Sequence, residues 1–374
     1  MAWFGALVGL VLVTLTLLDA FEVVLLPRPV RRRWRINRVF FTLAWAAWAG
    51  LARRLRPGRQ REDFAGVFGP LSMVALFSAW AILLMFGFGL LHWALQQLLG
   101  GEPSMTLAQA MGVSGDAFFT LGYGDVVPHH TTGRLLVIVE AGTGFGFIAL
   151  TISYLPVLYQ HFSRRDYQLV DLAARAGTPP TVAALVAWHA AVADPDALVA
   201  WLREWELWAG DLVESHAAYP MLAFYRSQHE GHSWLAALAV LMDVCALLIA
   251  GDEAGGPPQA EATFAAARRA LGVVTESLEV AVAPPDGPGW TPEAGDPMAW
   301  DAGLAPALRA TWPAWRGDAS GAERFARLRR TYAPRLRAVA SYLLLDLPGQ
   351  GDALPPRRGG DVMARLTRDD APRD

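Results

Sequence analysis

The sequence contains no lysine: all 32 of its basic side chains, among 374 residues, are arginines. With abundant alanine, glycine and proline, that absence speaks of a GC-rich genome more than of any function. A single cysteine, Cys245, excludes an intrachain disulfide framework and a cysteine-based zinc site, and reads as a small buried apolar residue. Charge is scarce at 18%, against 53% hydrophobic residues and a mean hydropathy of +0.27. No stretch alternates strands with helices, and no glycine-rich loop follows a strand. These absences argue against a nucleotide-binding regulatory domain. Gly142, Gly144 and Gly146 imitate a nucleotide loop in spacing, but they sit inside a long apolar segment with no strand before it.

What is present is apolar length. Ala2 to about Leu26, Leu71 to Leu99 and Leu135 to Tyr159 each reach the roughly 20 residues a helix needs to cross a bilayer. The first has no basic leader and no small-residue cleavage site, so it reads as a retained anchor. Arginine is crowded between Arg28 and Arg61, and the loop between the second and third segments carries none before Arg134. The positive-inside rule then predicts a cytoplasmic arginine segment and C-terminal domain, an outward loop and an outward N-terminus, in a multi-pass protein of the cell inner membrane. Val39 to Ala52, with Trp45 and Trp48, is too short to span and reads as an interfacial helix. Thr106 to Phe119 reads as a short apolar helix followed by a glycine-rich stretch, the pattern of a re-entrant segment lining a water-filled path.

That stretch is Thr120-Leu121-Gly122-Tyr123-Gly124-Asp125. To strip an ion of water at little cost, successive backbone carbonyls must face one way, which needs alternating left-handed residues that glycine adopts freely. The string and its setting resemble the signature of potassium channels, and the whole arrangement resembles bacterial one-pore channels with a two-transmembrane ion channel domain. The resemblance implies K+ coordination by the carbonyls of Thr120, Leu121, Gly122 and Tyr123, with the Thr120 hydroxyl at the innermost site. It implies that Gly124 completes the filter and that Gly144 is a hinge, with the gate near Pro156. That family more often has valine where Leu121 stands, and an outward-pointing side chain there tunes filter rigidity. Four copies must share one pore, since the chain has a single Gly-Tyr-Gly, so its partners are three further copies and the bilayer. No helix carries arginine at every third position, so a voltage sensor is absent.

Asp116 and Asp125 read as a carboxyl pair bracing the filter from behind, through a water if need be; the alternative is an Asp116 solvated at the mouth. Glu140, an intramembrane carboxylate, supports the filter, attracts cations or plays a structural part, and the sequence leaves all three open.

The expected fold class is an α-helical membrane protein: a pore domain, an extra N-terminal transmembrane helix and an all-α cytoplasmic domain. Its boundaries are 1–27 for the first helix, 28–63 for the basic segment, 64–162 for the pore and 163–348 for the helical domain. The tail 349–374 reads as disordered. Within the helical domain, Glu214, His216, Arg226, His229 and Asp243 are either a site for an unidentified small-molecule regulator or metal, or a satisfied polar network. No cofactor beyond transported K+, no nucleic acid and no enzymatic activity is expected. The competing readings are a membrane-anchored sensor or enzyme in which the tail is primary, and a weakly selective cation channel.

Overall fold

The computed structural model describes residues 1–26, 36–100, 105–283 and 304–347. The arginines at 28, 31, 32, 33 and 35, the proline- and glycine-rich loop from 284 to 297 and the tail after 349 lie outside the described residues. The described residues are helical, without a strand. They are α1 (Ala2–Val24), α2 (Ile36–Ala52), α3 (Arg59–Leu99), α4 (Leu107–Phe118) and α5 (Thr131–Ala176), then α6 (Val182–Val192), α7 (Pro195–Ala218) and a 3₁₀ turn (Pro220–Phe224). After these come α8 (Trp234–Gly251), α9 (Pro258–Ser277), α10 (Ala305–Thr311), α11 (Ala319–Arg330) and α12 (Ala333–Leu343).

The chain divides into two compact units that do not follow a single boundary near residue 162. The first is 1–170, 207–230 and 269–279; the second is 171–206, 231–268 and 280–374. α5, α7 and α9 therefore contribute residues to both.

In the first unit, α1 lies along α3 at close range. A Cβ on Gly9 would stand 2.6 Å from the Gly87 carbonyl, the small-residue contact by which apolar helices associate in lipid. Asp19, fully buried near the end of α1, accepts from the Trp80 indole at 3.0 Å and from the Asn37 amide at 3.0 Å. It thereby caps the start of α2 while fixing α1 to α3. α2 turns Trp45 and Trp48 onto Phe64, Phe68 and Phe224 and leaves Val39, Leu43 and Leu51 uncovered. Pro156 neither ends nor interrupts α5, which runs on through it to Ala176. The sequence predicts that Pro156 kinks or ends the helix close to the gate, and the end is corrected: helix persists on both sides of the missing amide donor.

The second unit is organised around α8. Among the described residues four helices are long and apolar enough to cross a membrane, and α8 is the one the sequence reading did not single out. Its residues, apart from Ile249, are buried within the protein, against α6, α11 and α12. A helix that is apolar all round and covered all round is a core helix, with no face left for lipid.

Candidate functional site

α4 is built to start and stop sharply. Thr106 caps it by accepting from the Gln109 amide, while the Gln109 side chain reaches back to the Thr106 amide at 2.9 Å, a reciprocal capping box. At the other end the Leu121 amide donates to the Asp116 carbonyl at 2.9 Å and the Thr120 amide to the Ala117 carbonyl at 3.2 Å. Those are the two bonds of a Schellman ending, whose left-handed position is normally glycine. Here it is Thr120, at φ +55°. A β-branched residue in that region costs on the order of 1 kcal/mol or more, so the local sequence tolerates strain to place a threonine hydroxyl there.

The alternation continues. φ is +75° at Gly122 and +69° at Gly124, with Leu121 and Tyr123 outside the positive region. Sign alternation at 120, 122 and 124 is the backbone pattern that turns carbonyls of successive residues to one side. The segment also leaves the C-terminal end of α4, whose partial negative charge favours cations.

Asp116 holds this segment from behind. Its Oδ1 accepts from the Tyr123 amide at 2.9 Å. Asp125 instead accepts from the Val126 amide at 3.0 Å, and the two carboxyls are not bonded to each other. Each satisfies a backbone donor close to it, so no shared proton is needed.

Gly144 on α5 sits directly on the end of α4: a Cβ there would lie 2.0 Å from the Phe118 carbonyl oxygen. The place the sequence marked as a hinge is thus also a packing contact, and α5 is unbroken through it.

Glu140 is fully buried, between α3 and α4. His92 Nε2 lies 2.9 Å from its Oε2, and the Ser114 hydroxyl contacts its Oε1. Ser114 also donates to the Met85 carbonyl at 2.7 Å. Sequence reasoning reached Glu140 alone. His92 and Ser114 carry no motif, and the one signal for them was a polar residue among apolar neighbours on each helix.

Residues 73–160 match the ion channel family, described as Ion channel. The match covers most of α3, all of α4, the 119–130 segment and α5 as far as Gln160, so an ion channel is supported for the elements just described. The chain is also 30% identical over 179 residues to "Uncharacterized membrane protein YdjJ" of Bacillus subtilis (strain 168). That alignment takes in 46% of this chain and 51% of the relative, so the chain spans about half the length of the curated relative it matches. No solved structure matches.

The five residues singled out beyond the pore do not form one site. Glu214 is exposed, and Arg226 pairs with Glu62 of α3 at 3.1 Å. His216 is buried, its Nδ1 3.1 Å from the Leu212 carbonyl, and His229 is exposed. Asp243 belongs to the second unit, where it accepts from Arg329 at 3.0 Å and from the Tyr332 hydroxyl at 2.5 Å. Among the described residues no group of three or more His, Cys, Asp or Glu is placed to hold a metal.

Burial pushes the His216 imidazole down to about 3, with the nearby Arg165 charge adding to the effect. His216 is therefore neutral when folded, whereas its ordinary value is 6.5. The unfolded chain takes up the proton first, so stability is full above pH 6.5 and falls as pH drops from there towards 3. Thermal unfolding in detergent at pH 5 should show a loss of about 2 kcal/mol from this residue. His216→Asn should flatten the acid dependence between pH 7 and 5. An unchanged slope would assign the acid sensitivity elsewhere, for instance to His189, whose value burial likewise lowers, to about 4.

Proposed function

We propose that the chain is one subunit of a potassium-selective channel, conducting K+ passively through a pore shared by four copies. The observation that carries this reading is the 120–125 segment. It leaves the C-terminal end of α4 with alternating backbone signs and is held at the Tyr123 amide by Asp116. The carbonyls of Thr120, Leu121, Gly122 and Tyr123, with the Thr120 hydroxyl, supply the oxygens that replace water around the ion.

Assembly is supported by what a single chain leaves uncovered. Leu121 is 54% and Tyr123 77% exposed, and Ile138, Val139 and Phe145 of α5 are uncovered as well. Apolar side chains at the narrowest part of a conduction path need neighbours, and further copies around an axis provide them. Arg53, Arg54, Arg56, Arg59 and Arg61 lie between α2 and the apolar part of α3, which favours a cytoplasmic face for that end and an outward mouth at Asp125. α2 then lies at the inner surface with Val39, Leu43 and Leu51 towards lipid. The helical domain beyond α5 modulates a gate near Pro156.

The test is flux. Purified protein in liposomes should take up thallium or potassium and discriminate against sodium, whereas Gly124→Ser should conduct with that preference lost. Serine at φ +69° carries a strain that glycine does not, and it is relieved by a shift of the backbone. A well-folded tetramer that passes no ion across a range of pH and lipid would sink the reading.

A further inference from the structure

The network at Glu140 has more acceptors than its visible donors can serve. The Ser114 hydroxyl has one proton, yet it contacts two oxygens, the Met85 carbonyl and Glu140 Oε1. The Met85 carbonyl can only accept. Both contacts are made as hydrogen bonds only if Ser114 donates to Met85 and Glu140 donates to Ser114. Glu140 Oε2 then accepts from His92 Nε2 at 2.9 Å, which asks for a proton on that nitrogen. All three side chains are closed off from solvent, at 3% exposure for His92 and 0% for Ser114 and Glu140. A neutral chain in such surroundings avoids the desolvation of two charges that an ion pair would incur.

We propose that Glu140 carries a proton and, through it, is the positioning residue that locks the filter-bearing helix to both spanning helices. The donor chain runs from His92 on α3 to Glu140 on α5, from Glu140 to Ser114 on α4, and from Ser114 back to Met85 on α3. Ser114 stands two residues before Asp116, which holds the Tyr123 amide. The network thus fixes the turn of α4 from which the filter is braced. Its effect on ion flow rests on the channel reading above; the location of the proton does not.

The two are read separately on the full-length protein. Infrared difference spectra of wild type against E140Q at neutral pH should show the C=O stretch of a protonated, buried carboxylic acid in wild type alone. Absence of that band overturns the proposal whether or not the protein conducts. In liposomes E140Q should keep flux and selectivity within about twofold, because a glutamine amide donates to Ser114 and its oxygen accepts from His92 in the same geometry. E140A should lose at least about tenfold. If E140A does not assemble, S114A, which removes one hydroxyl, is the variant to read. It should lose potassium preference at near-normal assembly, and unchanged preference removes the positioning role. A carboxyl band together with no flux in any variant, wild type included, would retain the proton, overturn the positioning role and fail the channel reading.

Discussion

Alanine at position 144 should cost most of the channel's function, in flux and in recovery of folded assembly. The added Cβ would meet the Phe118 carbonyl oxygen at 2.0 Å and the carbonyl carbon at 2.8 Å. Both atoms are backbone, at the last turn of α4, and have no rotamer with which to move aside. Either α5 or α4 must shift, and overpacking of this kind costs about 1–3 kcal/mol or more. On the channel reading proposed above, α4 carries the filter, so the shift would fall on the conduction path. Gly142→Ala and Gly146→Ala, where an added Cβ meets nothing in the same chain within 4 Å, serve as controls and should leave subunit stability nearly unchanged. A glycine needed only for bending would respond differently: alanine there would leave stability intact or raised, since it favours helix. Melting temperature and flux of G144A at wild-type level would remove the packing account.

Asp116→Ala should be the second large effect. It deletes the acceptor of the Tyr123 amide while leaving the Schellman ending of α4 in place. A hydrogen bond to a charged group contributes about 1.5–3 kcal/mol, and its partial exposure argues for the lower figure. That corresponds to about tenfold in the population of the braced filter. Flux should fall by that order, with potassium preference reduced, and Asp116→Asn should restore much of both because its oxygen still accepts. If alanine and asparagine behave alike, charge at the mouth and not the bond to Tyr123 is what Asp116 supplies. Asp125→Asn is expected to be mild, since Asp125 bonds only to the adjacent Val126 amide.

The contrast between these positions shows what the sequence made legible. Spans and the short helix were readable because each announces itself locally. The apolar run from 71 to 99 lies within α3, and the 106–119 stretch encloses α4 with its Thr106 cap. The left-handed positions at 122 and 124 were readable because they are glycines. Thr120 was not, since threonine carries no mark of a left-handed backbone and its φ follows from the way α4 closes. The partner of Asp116 depended on which amide the chain folds back towards, seven residues on. His92 and Ser114 stand 48 and 26 residues before Glu140, and only tertiary packing joins them. α8 escaped notice for the opposite reason: its composition suits a spanning segment, and only the surrounding helices make it a core.

α5 leaves a last consequence. It is one helix of 46 residues, close to 70 Å at 1.5 Å per residue, and a bilayer's hydrocarbon core is about 30 Å thick. The helix therefore extends beyond the apolar layer, continuous with the part that packs on α4. Each residue inserted or deleted between Tyr159 and Ala176 turns the remainder of the helix by about 100°. The phase between the two ends of the helix is thus written in a residue count, and changing that count by one would rephase the far end without touching a single side chain of the filter.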